Sequence, residues 1–198
     1  MIFIKTKLQE INNFKNKLEF INDEILQIIK QSWDEKTDDL FDEWSIFLQP
    51  KLLDKLVTEL YKTVNVSWKY YDYIASLGTN ASPLSYLLGN KYDKRVIFLD
   101  DDWGVTCFFQ KIKPSSVDIS NKKILLVLPY FESGLKASRG MDILNKKGKN
   151  VQIDVLTVVF FPVYLDKTIF NKPKYKDSYL YYLYAWDEKV KNALIKRS

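Results

Sequence analysis

Apolar side chains recur at three- and four-residue steps near the start of the chain: Leu8, Ile11, Phe14, Leu18, Ile21, Ile25, Ile28 and Ile29. That period is the stripe of an amphipathic helix, and it predicts one over residues 6–32. Neither Pro nor Gly occurs before Pro50, so the first quarter is predicted to be helical with one or two breaks. One break falls at 33–39, where Thr37 caps a new start and Asp38 and Asp39 occupy its first turn. Phe41, Trp44, Phe47 and Leu48 form a short stripe. Pro50 then opens another helix, with Leu52, Leu53, Leu56, Val57, Leu60 and Tyr61 along one side. Such stripes are predicted to pack into a core.

The pattern changes at residue 70. Residues 71–77 form a short apolar run that ends in Gly78-Thr79-Asn80. Ser82 and Pro83 suit the cap and first position of a helix, which is expected to stop at Gly89-Asn90. Runs over 96–99 and 105–109 read as buried strands, the first closed by Asp100-Asp101-Asp102 and the two joined through Trp103-Gly104. Residues 124–128 are the most apolar strand. After Pro129, residues 133–147 read as loop then helix, stopped by Gly148, and 151–161 as a long strand. Residues 179–195 are predicted to be an aromatic helix, with Tyr179, Tyr182 and Trp186 at helical spacing for packing or base stacking. Short continuous apolar strands alternating with helices predict an α/β fold: a mainly parallel sheet flanked by helices, with a helical N-terminal extension. The predicted division is a helical arm over 1–48 and an α/β domain over 49–198. Ligands of such sheets bind at the carboxyl ends of the strands. Here that edge consists of Gly78-Thr79-Asn80, Asp100-Asp101-Asp102 and the stretch from Tyr130 to Lys136.

Composition narrows the chemistry. The 198 residues include no histidine and one cysteine, Cys107. This removes imidazole bases, Ser-His and Cys-His nucleophile pairs, intramolecular disulfides and cysteine zinc clusters. Cys107, flanked by Val, Thr and two Phe, is expected to be buried and inert. No segment approaches 18 apolar residues, and the start has no apolar signal core, so a soluble cytoplasmic protein is expected, without membrane contact. Net charge is +5, unevenly spread: residues 1–50 hold six lysines and ten carboxylates, and the remainder is net +9. The basic part can attract nucleotides or nucleic acid. Only three basic residues are arginines, so bidentate base readout is poorly supplied. The acidic N-terminal part can dock on basic surface of this chain or of a neighbour, giving a homo-oligomer or a larger complex.

The order of elements over residues 50–162 resembles a type I phosphoribosyltransferase domain, nearest in layout to the orotate phosphoribosyltransferases. The run from Tyr71 to Asn80 is similar to the strand and pyrophosphate loop of that family. Ser82 to Leu88 is similar to the helix that follows, and 124–151 to the signature strand, phosphate loop and helix. The resemblance implies a ribose-phosphate ligand, with Gly78, Thr79, Asn80, Tyr130, Ser133, Gly134 and Lys136 as contacts. It also locates departures. The family's signature strand ends in two adjacent acidic residues that contact the ribose of phosphoribosyl pyrophosphate, and here Leu128-Pro129 stands there. Ser133-Gly134 suits a phosphate cradle at a helix start. Glu132 beside it opposes one: two like charges about 4 Å apart repel by about 4 kcal/mol at an effective dielectric near 20. The scaffold therefore resembles a phosphoribosyltransferase whose usual substrate apparatus has been lost.

Three functional expectations follow. The first is a phosphoribosyltransferase-like protein that binds a nucleotide or ribose-phosphate, or a partner, without standard transfer. The second is a divergent enzyme cleaving or transferring a ribosyl or nucleotide group. In it Asp100, Asp101, Asp102 and Glu132 supply acid–base function or hold Mg²⁺. The third is an accessory subunit docking through residues 1–48. By fold-level analogy, toxin and phage-defence complexes are one such setting.

Overall fold

The computed structural model describes residues 5–8, 47–64, 68–99, 117–166 and 168–185. The expected helices over 9–46, the acidic run Asp100–Asp102, the turn at Trp103-Gly104, the strand at 105–109 with Cys107, and residues 186–195 lie outside them.

Six strands form one sheet: β1 (Lys5–Lys7), β2 (Tyr73–Leu77), β3 (Arg95–Leu99), β4 (Lys123–Phe131), β5 (Gln152–Phe160) and β6 (Tyr179–Ala185). Their order is β1-β6-β5-β4-β2-β3. The five strands β2 to β6 are parallel, and β1 is antiparallel to β6. Among the described residues three helices flank the sheet: α1 (Pro50–Val64), α2 (Ser82–Tyr92) and α3 (Leu135–Lys147). Leu53, Leu56, Val57 and Leu60 of α1 and Leu84 and Leu88 of α2 pack on one face with Ile74, Leu125, Val127 and Leu156. Ala137, Met141 and Leu144 of α3 pack on the other with Leu126, Leu128 and Val155. Both faces are covered, which is why β4 and β5 read as unbroken apolar runs rather than alternating ones.

Several expectations are corrected. Lys5–Lys7 is a strand, not the start of a helix, and Leu8 behind it is fully buried with its N–H donated to Ser178 O. Residues 179–185 are strand β6, not helix. YLYYLYA is aromatic and strand-favouring, and with both faces covered a strand buries Leu180 and Tyr182 on one side and Tyr181 and Leu183 on the other. Helix α2 runs three residues past Gly89, to a left-handed Asp93. Gly89 is there for space: a Cβ would stand 2.3 Å from Val96 Cγ2. Ser82 is the first helical residue and Ala81 the cap. β3 is an edge strand among the described residues, with Phe98 38% exposed, not a buried one.

β4 does not stop at Pro129. It continues to Phe131, and the pairing with β5 skips one residue on each strand, running Leu128↔Thr157 and then Tyr130↔Val159. β5 and β6 skip likewise, from Thr157↔Tyr182 to Val159↔Tyr184. Pro129, Val158 and Leu183 thus form one row across three strands. Beyond it the faces exchange: Val158 and Val159 both contact the α1–α2 side, as do Leu183 and Tyr184. Pro129 has no N–H to give to a ladder, and Thr157 Oγ1 donates to Val159 O at 3.1 Å across the same row.

The amino ends of the strands are tied together. Asp72 accepts the N–H of Lys123, Asn121 N–H bonds Lys149 O, and Gln152 N–H bonds Lys122 O. Behind them Asp154, 5% exposed, accepts Tyr71 OH at 2.5 Å and Tyr179 N–H at 2.8 Å. Burial first, then the neighbouring Asp154 and Tyr181, push the Tyr71 phenol far above its usual range, so it remains a donor.

Candidate functional site

The chain leaves β2 through α2 to β3 on one side, and β4 lies on the other side of β2. The helices after β2 and β4 cover opposite faces. The carboxyl ends of β2 and β4 therefore flank a topological switch point, where open α/β sheets leave a crevice. The two loops there are Gly78-Thr79-Asn80 and Glu132-Ser133-Gly134, both singled out by the sequence.

They are built differently. Gly78 has φ +76° and donates its N–H to Leu99 O. Ser82 Oγ donates to Gly78 O at 3.2 Å, and Thr79 Oγ1 to Asn80 Oδ1 at 3.1 Å. β2 pairs with β4 as far as Ser76↔Val127, which sets Gly78 level with Pro129. Glu132 stands three residues farther on, about 10 Å of strand. The β4 loop therefore stands higher at this edge than the β2 loop.

Gly134, at φ +84°, caps α3. A Cβ there would meet Phe170 Cε2 at 2.4 Å, so both the backbone and the neighbouring ring require glycine. Ser133 Oγ accepts the Leu135 N–H at 3.3 Å, and Ser133 O accepts the Asp166 N–H. Lys136 Nζ lies 5.1 Å from the ring centre of Tyr130 and donates to its OH at 3.4 Å. Lys136, Tyr130 and Ser133-Gly134 are thus brought together at the start of α3. The Asp166 carboxylate takes the N–H and hydroxyl of Thr168, which hold its pKa below the usual range. Glu132 and Asp166 lie on the two segments that the Asp166 N–H to Ser133 O bond joins, and Lys136 follows in the first turn of α3.

Sequence reasoning missed the β5–β6 connection. Its buried Ile169, Phe170 and Tyr175 back α3, and Tyr175 OH donates to Ser138 Oγ. Three short 3₁₀ turns over 162–175 carry no strong period; only the Pro162 and Pro173 starts were visible in the chain. Asp100, Asp101 and Asp102 lie outside the described residues. Among the described residues no cluster of three or more carboxylates or thiols could hold a metal ion, and Glu132 alone does not make a magnesium site.

No family model and no curated sequence matches the chain. Solved structures do. Adenine phosphoribosyltransferase from Thermoanaerobacter pseudethanolicus aligns over 81% of this chain and 99% of its own, with TM-score 0.62 at 9% identity. Orotate phosphoribosyltransferase from Aeropyrum pernix aligns over 79% and 83%, with TM-score 0.61 at 9% identity. The chain has a type I phosphoribosyltransferase fold. A third such fold, the orotate enzyme of Mycobacterium tuberculosis in complex with phosphoribosyl pyrophosphate, aligns over 82% and 87%, with TM-score 0.57 at 13% identity. At these identities the phosphoribosyltransferase likeness is one of architecture. No helix among the described residues is long and apolar enough to cross a membrane.

Proposed function

We propose that the crevice between β2 and β4 binds a mononucleotide or other ribose-phosphate, without standard phosphoribosyl transfer. The observation that carries this reading is the pair of left-handed glycine loops, Gly78 and Gly134, at the switch point of a phosphoribosyltransferase fold. Ser133 and Gly134 at the start of α3, with Lys136 beside them, suit a single phosphate. Leu128 and Pro129, both buried, stand where the resemblance implies a ribose-binding acidic pair. Glu132 and Asp166 disfavour the more heavily charged pyrophosphate compound. Asp100–Asp102 have no role in this reading.

The test is calorimetric titration with purine and pyrimidine monophosphates, then with phosphoribosyl pyrophosphate and Mg²⁺, on the wild type and on Lys136→Glu. Micromolar binding of a monophosphate, lost in Lys136→Glu, is the expected result. Flat traces with every monophosphate overturn it. So does pyrophosphate release from phosphoribosyl pyrophosphate when a nucleobase is supplied.

A further inference from the structure

The opposite edge of the sheet carries a different chemistry. The segments that enter β2, β3, β4 and β5 end side by side there. They hold Lys69, Lys94, Arg95, Lys122, Lys123 and Lys149 against Asp72, Asp93 and Asp118. The last turn of α3 adds Lys146 and Lys147. The bonds from Asp72 to Lys123 and from Lys149 to Ser120 and Asn121 make this one surface rather than scattered loops. Two of the three carboxylates are engaged locally: Asp72 by Lys122 and Lys123, and Asp118 by the Ser120 N–H. In the middle Tyr70 is 55% exposed, with Lys69 Nζ 5.2 Å and Lys123 Nζ 5.8 Å from its ring centre.

An exposed ring set among lysines on a rigid edge is a stacking platform within a positive field. Lysines neutralise a phosphodiester backbone without reading sequence, and a tyrosine face accepts any base. A folded acidic protein would meet the charge, but only a nucleic-acid strand offers a flat π-face at every residue to lay on the ring. A duplex keeps its bases stacked inside and cannot offer one. We infer that the amino edge of the sheet, centred on Tyr70, is a sequence-tolerant binding surface for single-stranded nucleic acid. This surface is independent of the crevice at the carboxyl edge.

The test uses the full chain and fluorescence anisotropy of labelled 15-nucleotide oligo(dT) and oligo(U), at several salt concentrations. Binding is expected to weaken with salt, the slope of log K against log [salt] reporting about −0.7 per phosphate contacted. Tyr70→Ala is expected to weaken binding about tenfold. The double variant Lys69→Glu/Lys149→Glu, both exposed positions, is expected to weaken it further and flatten the slope. Lys51→Glu, exposed at the start of α1, should leave it unchanged. Absence of binding at low salt overturns the inference. So does displacement by polyglutamate as readily as by unlabelled oligonucleotide, or equal affinity for duplex together with indifference to Tyr70→Ala.

Discussion

The two edges of the sheet are made of the same strands and solve opposite problems. At the amino edge Asp72, Ser120, Asn121 and Asp154 each bond to a segment other than their own. At the carboxyl edge the hydroxyls of Thr79, Ser82 and Ser133 bond within their own loops, and only two backbone bonds described above, Gly78 N–H to Leu99 O and Asp166 N–H to Ser133 O, reach a neighbouring segment. The first edge fixes the strands in register. The second carries the two left-handed glycines, Gly78 and Gly134, in the loops after β2 and β4. A fold that keeps its architecture at about 10% identity can do so because the bonds that hold it lie away from the loops that meet a ligand.

The largest expected effect tests the holding edge. Asp154→Ala leaves Tyr71 OH and Tyr179 N–H buried without their acceptor and should cost about 4 kcal/mol, measured by urea unfolding. If that variant does not fold, Tyr71→Phe should cost about 1.5 kcal/mol; no change in either would dissolve the distinction between the edges. Gly134→Ala comes next. Left-handed strain and the contact with Phe170 together should cost about 3 kcal/mol. Gly78→Ala meets nothing within 4 Å, so strain alone should cost about 1 kcal/mol, and comparing the two separates shape from backbone. The smallest is Asp72→Asn. The Lys123 N–H, and then Lys122, hold the Asp72 carboxyl below its ordinary 3.8. The stability it contributes is present above that pH and lost as pH falls through the lowered folded value. At 39% side-chain exposure the effect should be about 0.5 kcal/mol. Wild type and variant should differ at pH 7 and converge at pH 2.

Much of this was legible in the chain because the signals were local. The stripe Leu53, Leu56, Val57, Leu60, the run 124–128 and the stop at Gly148 each state their element within one window. β6 was not legible: Tyr179, Tyr182 and Trp186 fit a helix as well as a strand, and only a covered sheet decides between them. Residues 5–8 have the same difficulty, since their pairing partner lies at 179–181. At the site, Gly78 and Gly134 announced themselves as glycines in turns. Phe170, the ring that makes Gly134 obligatory, could not be found because it sits thirty-six positions away in a connection without a period.

The row formed by Pro129, Val158 and Leu183 has a mechanical meaning. Below it, ladders knit the strands to the tied amino edge. Above it, Tyr130-Phe131, Val159-Phe160 and Tyr184-Ala185 pair again with one another. The two skipped pairs lie in line and crease the sheet across three strands. The strip above the crease carries the start of α3, and Phe161 N–H is bonded to Phe131 O across it. Through that bond and the one from Asp166 N–H to Ser133 O, the strip joins Glu132-Ser133-Gly134 and the 162–166 connection into one unit on the far side of the crease from the amino edge.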